Sequence, residues 1–494
     1  MSSSTCFIPK TPSDPKKYSF LLPGITPKTL LQSEHLLEKN HTEHDIFFNE
    51  NGFHNHLVHH YLAAYSMGAD TKRLQEIYDD HASYQRKLPP PVGDLTRENF
   101  KQELGKRDAY TSYLRLFQRE IEQHGMVDTI RRFVFMDDML ARTVGGAFHP
   151  VIHLGYAIEF DLPAVAAEGL AMAACTEANL SCLISSLPCL QEILVPVQAA
   201  TMATSARDMV SKITSDMAAK LGLGGHNNDG TTGSSRGGLH NEKSPESANS
   251  LTATDMTANL KEAMNNNVLV DLMEEIHRDT DFDGVVKFTD SNKIRAFLAN
   301  SQAVEKVKAY ASRWHVHDDA KDLQAKVKEL YTACMLCYGS TAIREQGIKL
   351  DFFLMHALTS IHAIHLLLPI LAPNEAAALL KGHAAATLSY YVSRGRPSMQ
   401  VELLLKYESD EAANDSGNPW LKICERAIHA PEAHIIKVVR ACAVGQIVYG
   451  HDGRSEPFEK AWVRLADMTL KIASNKVDGN YWNHKGIGFD EAWQ

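Results

Sequence analysis

No run of lysines and arginines interrupts this chain, and its formal net charge is −10. A DNA or RNA binder driven by a basic surface is therefore not expected. Cysteine is scarce, eight in 494 residues, and the spacing forms no disulfide framework; this points to a reducing compartment. Cys334 and Cys337 make one CxxC on an apolar stretch, and without a second pair core packing outweighs zinc binding. The N-terminal stretch MSSSTCFIPKTPSDPKKYSFLLPG carries prolines and lysines where a signal peptide needs an apolar run. The most apolar segment, residues 352–372, is interrupted by His356, Ser360, His362 and His365, which makes a poor membrane span. A soluble, cytoplasmic protein is expected, acting on no membrane and no nucleic acid. There is no Walker A motif, and no GxGxxG follows a strand: the glycines of GLGGHNNDGTTGSSRGG follow a helical pattern. A Rossmann domain for a flavin or nicotinamide is thus not expected.

What is present is helical periodicity. The chain is 44% hydrophobic and 22% charged, ordinary for a globular protein. Its length exceeds the roughly 250–300 residues at which one core usually stops growing, so two packed lobes or one large domain with insertions are expected. Residues 99–124, 163–218, 323–347, 353–371, 375–393 and 431–449 show helical spacing of apolar residues, and strand-like alternation is scarce. The fold class is all-α, a large multi-helix bundle. Residues 1–50 read as irregular, with a short amphipathic piece near Thr29–Leu37. Residues 51–221 form a first helical lobe, 222–250 a flexible Gly/Ser/Asn-rich insertion, and 251–494 a second helical lobe.

Histidines recur at the starts of the apolar helices. The stretch NGFHNHLVHHYLAAYSMGA holds His54, His56, His59 and His60, and a helix beginning there puts His56 and His60 on one face. GGAFHPVIHLGYAIEF repeats the i, i+4 pair with His149 and His153, with Pro150 suited to a first helical turn. DFFLMHALTSIHAIHLLLP carries His356, His362 and His365, and APEAHIIKVVRACAVG carries His434. A single such residue is more often a satisfied core histidine than a ligand. Four on separate apolar helices can build an internal metal site, as bundle cores do, and imidazole suits Fe, Zn, Cu or Ni.

Neutral imidazoles leave a cation's charge uncompensated, so an acidic ligand is sought among Glu159, Glu168 and Asp351. Lys381 is another candidate: it is flanked by apolar residues, and burial would lower its pKa. A neutral amine reacts with carbon dioxide to give a carbamate, which binds metals as a carboxylate does; the competing reading is a lysine that snorkels to water. Arg394 and Arg396 either cap helix carbonyls or hold an anionic substrate group such as a phenolate. Two further motifs carry weaker signals. DTDFDGVVKFTD, residues 279–290, fits an EF-hand loop except for Asp at position twelve and the lack of a partner hand. His317–Asp318 has the dipeptide of the HD phosphohydrolases in polar surroundings.

NHLVHHYLAAYSMGA, GGAFHPVIHLGYAIEFDLPAVAAEGLA, DFFLMHALTS, YYVSRGRP and HIIKVVRACAVG, taken together and in this order, resemble the questin oxidase-like family of fungal polyketide pathways. The likeness runs from about residue 50 to about residue 450. It implies an oxygenase that opens the central ring of an anthraquinone with O2, an activity commonly called Baeyer–Villiger oxidation and described as NADPH-dependent. It also implies a non-haem Fe(II) held by histidines and a carbamylated lysine, with no flavin. Carried over, the ligands are His56, His149, His356 and His434, with Lys381 as the anionic ligand; His153 and His60 contact these or replace one of them. Tyr156, Tyr390 and Tyr391 are candidates for packing on the substrate or donating a proton, and Arg394 or Arg396 for holding a phenolate. The rival readings are an NADPH-dependent monooxygenase without bound flavin, an HD-type hydrolase and a non-catalytic helical scaffold.

Overall fold

The computed structural model describes residues 6–10, 20–185, 267–408, 417–450, 456–474, 476 and 480–494. Its helices before the insertion are α1 (Pro27–Glu43), α2 (Leu57–Ser66), α3 (Thr71–Ala82), α4 (Tyr110–His124), α5 (Met126–Val134), α6 (Met139–Thr143), α7 (His149–Phe160), α8 (Pro163–Cys175) and α9 (Ser181–Ile184). After it come α10 (Val268–Arg278), α11 (Lys293–Leu298), α12 (Ser301–Ser312), α13 (Ala320–Gly339), α14 (Phe352–Leu367), α15 (Pro373–Ser393), α16 (Val401–Lys406), α17 (Pro419–Ile428), α18 (Ala433–Tyr449) and α19 (Glu456–Ala473). Among the described residues the one sheet is a hairpin of Ile343–Arg344 with Gly347–Ile348. The all-α expectation holds. The 222–250 insertion and the lobe boundaries beside it lie outside the described residues.

Helix boundaries follow local chemistry. The N-terminal segment is more regular than its composition suggests. Thr26 and Thr29 each accept a hydrogen bond from the other's backbone N–H, and Pro27 occupies the first helical position. Two orphan donors are thereby satisfied and φ is pre-set, so α1 runs through Glu43. The helix expected over 163–218 stops at Cys175, where Thr176 turns to extended geometry, and the one expected from residue 99 starts properly only at Tyr110.

The centre of the molecule is built from helices with apolar residues all round. α7, α8, α14 and α18 have nearly every residue buried, which is how a helix surrounded by others reads. α7 packs on α8 and α14, α2 on α7 and α18, and α14 on α18. Gly155 of α7 lies against Ala363 of α14 so closely that a Cβ there would come within 2.4 Å of the alanine Cβ. Phe352–Ile370 is long and apolar enough to cross a membrane, but 67% of its apolar window is buried within the protein, as befits a core helix. Two buried ion pairs brace this centre. Arg440 of α18 meets Glu159 of α7 at 2.5 Å, and Arg394 meets Asp351 at 2.9 Å, the residue whose side chain caps α14.

Candidate metal centre

Four histidines from α2, α7, α14 and α18 converge at the centre. One ring nitrogen from each of His56, His149, His356 and His434 lies within 4.8 Å of the other three, and all four residues are buried. The Nε2 atoms of His56 and His149 are 2.9 Å apart. A metal–imidazole bond of about 2.1 Å places adjacent ligand nitrogens about 3.0 Å apart and opposite ones about 4.2 Å apart, so the cluster matches a metal's ligand set after closing by about half an ångström. The Nε2 atoms of His356 and His434 have no hydrogen-bond partner. Buried orphan nitrogens are costly, and a metal would satisfy them.

The outward nitrogens are occupied in a way that leaves lone pairs facing inward. His149 Nδ1 donates to the Gly146 carbonyl at 2.7 Å and His356 Nδ1 to the Phe352 carbonyl at 2.7 Å. His434 Nδ1 donates to Glu432 at 2.5 Å. Each contact fixes the tautomer that leaves Nε2 unprotonated, the arrangement typical of metal-ligating histidine. The Gly146 carbonyl is aimed by an unusual turn, because Gly146, Ala147 and Phe148 all adopt positive φ, of 54°, 51° and 64°. The Tyr390 hydroxyl accepts the Ala147 N–H at 3.0 Å. Two non-glycine residues in this region cost of order 1–3 kcal/mol each and tend to mark functional sites. Glu432 also caps α18 through the His434 N–H and accepts the Trp482 indole N–H. His56 stands at the N-cap position of α2, and neighbouring Asn55 bonds to Asn40 of α1 and to the Leu57 N–H.

Electrostatically the four rings are held neutral. Burial pushes each far below the ordinary histidine range, and neighbouring positive charge adds to it, with Lys437 a contributor to all four. Lys437 sits one turn beyond His434. It is 2% exposed and its Nζ has no hydrogen-bond partner. Burial pushes its amine down to about 7, against the pull of Glu432, and burial raises Glu432. A second buried network flanks the centre. Gln118 donates to His41 Nε2 at 2.7 Å, so His41 Nδ1–H donates to Glu168 at 2.6 Å. The other Glu168 oxygen accepts His153 Nε2–H at 2.8 Å, and His153 Nδ1 then accepts His59 Nε2–H at 3.1 Å. Burial would raise Glu168, but the two histidine hydrogen bonds outweigh it and hold the carboxyl at about 2. The His59 ring lies 5.9 Å from His56 and 6.3 Å from His149, so a fixed carboxylate is linked to the ligand shell through two imidazoles.

The histidines singled out in the sequence thus divide. His56, His149, His356 and His434 come together, whereas His153 is spent on Glu168 and His59. His60 turns away to His81. Lys381 is half-buried on α15 and is not among the cations acting on the four rings; the buried amine beside them is Lys437. Its signal in the sequence was an i+3 spacing from His434 within an all-apolar turn. Both arginines are paired within the protein: Arg394 with Asp351, over the Phe353 ring, and Arg396 with three carbonyls at the end of α10 and with Asp283. Tyr156 is buried, stacked on His59 with the Arg440 guanidinium over its ring, and burial raises its hydroxyl to about 12. Tyr390 holds the Ala147 turn, and Tyr391 donates to the Pro397 carbonyl. The EF-hand-like loop is neutralised from within, as Lys306 pairs with both Asp279 and Asp281. His317 and Asp318 are exposed, and Cys334 and Cys337 are buried core thiols.

Two outcomes follow for solution work. Replacing Glu432 by alanine removes the acceptor that orients His434, and metal affinity in a chelator competition should fall about 10–100-fold; unchanged affinity would show that Glu432 does not orient a ligand. The metal-free protein should also lose stability as pH falls below about 6.5, the ordinary histidine value. The folded histidines stay neutral there while the unfolded chain takes up protons, and this favours unfolding. The stabilising difference is fully present above that pH. Urea midpoints measured between pH 8 and 5 check this, and a flat profile would mean the rings are not buried neutral.

The chain was compared with known proteins. A family model described as questin oxidase-like matches residues 53–442. The "Questin oxidase" of Aspergillus terreus is 26% identical over 489 residues, covering 93% of this chain and 91% of that protein. The "Baeyer-Villiger oxidase mdpL" of Emericella nidulans is 25% identical over 493 residues, covering 94% and 93%, and the "Questin oxidase" of Aspergillus fumigatus is 25% identical over 479 residues, covering 93% and 92%. All four converging histidines fall inside the matched region, and the chain belongs to the questin oxidase-like family.

Proposed function

We propose that the protein is an oxygenase of fungal aromatic polyketide metabolism that opens the central ring of an anthraquinone with O2, at an iron held by His56, His149, His356 and His434. The observation that carries this reading is the convergence of four imidazoles, three with the tautomer fixed by an outer acceptor and two with orphaned Nε2 atoms, in a buried site. The relatives' printed names supply the oxidase activity and, for two of them, questin as what is acted on. Four neutral nitrogens leave a divalent ion's charge uncompensated, and Lys437 is assigned the anionic role that the family resemblance gave to Lys381. Its amine, with a pKa near 7, is in good part neutral at physiological pH and can take up CO2 as a carbamate. When bound, iron would supply the one-electron chemistry that O2 needs to react with a closed-shell ring.

The chain's own contribution is orientation, charge and dryness. The Gly146, Phe352 and Glu432 acceptors keep three donor nitrogens aimed inward. The Glu168 carboxylate places a negative charge behind His153 and His59. The four histidines are buried, and the cavity beside Lys437, Tyr156, Glu159 and His362 has a volume of only about 10 Å³, the size of one water. A three-ring substrate therefore needs a conformation in which the walls separate. NADPH, where it takes part, is assigned the role of a soluble reductant of the quinone.

Anaerobic purification with metal quantification, followed by Fe(II), O2 and candidate anthraquinones with mass analysis of products, tests the reading. About one metal per chain is expected, with ring-opened product carrying oxygen from O2 and loss of both on chelation or in His149→Ala. Full activity in a chelated, metal-free protein would overturn it.

A further inference from the structure

A hydrogen-bonded chain runs inward from the surface and ends one helical turn from the buried centre. His60 lies one turn after His56 on α2. Its Nδ1 is 3.1 Å from His81 Nε2, on α3, and His81 Nδ1 is 2.5 Å from the Tyr84 hydroxyl. Tyr84 is a surface residue, 46% exposed, whereas His81 and His60 are 6% and 5% exposed. The His60 Nε2 atom is buried with no partner. We infer that Tyr84, His81 and His60 form a proton path between solvent and the α2–α18 interface beside Lys437; the inference rests on the oxygenase reading for its purpose, but not for its geometry.

The path balances as a proton exchange with no change of oxidation state. The Tyr84 O–H bond breaks as His81 Nδ1–H forms. His81 Nε2–H breaks as His60 Nδ1–H forms, and the His60 Nε2–H proton, which no protein group accepts, passes to a phenolate or enolate oxygen of the substrate. Water returns a proton to Tyr84, and ring reorientation restores the starting tautomers. A neutral histidine can carry protons this way because it donates from one nitrogen while accepting at the other. Burial holds His81 near 4, with Glu432 opposing, so the relay rests neutral at working pH. Charges facing it are Arg73 and Asp80 on α3, and Glu432 and Lys437 from the α18 side. A structural role alone explains the arrangement less well. Two buried imidazoles and a tyrosine in series satisfy each other's inner atoms but leave the terminal His60 nitrogen unpaired at a cost of about 1–3 kcal/mol. Ring-opening oxygenation rearranges phenolic and enolic protons at a centre sealed from water, and needs such a conduit.

The test uses His81→Phe and the milder Tyr84→Phe in the full chain. In metal-free, histidine-15N-labelled protein, exchange of the His60 ring proton with water is read by NMR. It should slow at least tenfold in His81→Phe and less in Tyr84→Phe. In the iron-loaded enzyme, His81→Phe should lower kcat at least tenfold with KM and metal content little changed, and added imidazole should restore kcat in proportion to its concentration without affecting the wild type. Wild-type exchange in both variants, or a kcat loss that imidazole does not rescue, overturns the path. Should His81→Phe not fold, Tyr84→Phe decides by the same two readouts, with its slower exchange and imidazole-rescued kcat supporting the path and wild-type values overturning it. An inactive wild-type enzyme would count against the oxygenase reading, and the exchange measurement would then decide the path by itself.

Discussion

Each ring nitrogen of a buried imidazole that goes unpaired costs free energy, and this constraint organises the centre of the molecule. At His149, His356 and His434 the outer nitrogen has an acceptor, a backbone carbonyl in two cases and the Glu432 carboxylate in the third. What remains is a set of inward lone pairs that no protein group satisfies at His356 and His434. A helical scaffold with purely structural histidines has no reason to arrange orphan acceptors face to face, where burial gains nothing and each unpaired atom costs about 1–3 kcal/mol. Binding an ion turns the same geometry from a cost into a source of stability, because metal affinity contributes directly to the folded state.

The surrounding structure maintains that geometry. The positive-φ turn at Gly146–Phe148 is strained, and its persistence depends on Tyr390 and on the tight packing of α7 against α14. Glu159–Arg440 and Asp351–Arg394 are ion pairs with both partners almost fully buried. Such pairs add little net stability, but removing one partner is expensive. They lock α7 to α18 and the start of α14 to the end of α15, and α7, α14 and α18 carry three of the four converging histidines. Negative charge is supplied at a distance: Glu168 and Glu432 stand behind ligating or near-ligating imidazoles, so a cation at the centre would be balanced partly through hydrogen bonds.

Much of this was legible in the sequence, and the parts that were not share a cause. Helical periodicity revealed the class, and the recurrence of histidine at helix starts revealed all four converging residues. What periodicity cannot show is which face meets which neighbour. Lys381 and Lys437 both lie on helices that are apolar all round, so neither has a polar face to betray its direction, and only the packing of α18 against α2 distinguishes them. For Arg394 and Arg396 the sequence leaves carbonyl capping and anion binding both open, because their partners, Asp351 and the end of α10, are far away in sequence. His153 shares its i, i+4 spacing with the converging His149, but Glu168, on the next helix, claims it. The capping box at Thr26 is hard to see in the sequence because its reciprocal partner is Thr29, where a glutamate is the usual signal.

The central claim is that four imidazoles from four helices meet at one metal. X-ray absorption spectroscopy of the iron-loaded protein tests it most directly, since imidazole rings give a distinctive multiple-scattering pattern whose amplitude counts them. The account predicts about four histidine ligands, with one further oxygen donor that is lost when Lys437 is replaced by alanine and about one fewer imidazole in His434→Ala. A spectrum with one or no imidazole, or one unchanged in His434→Ala, would contradict it.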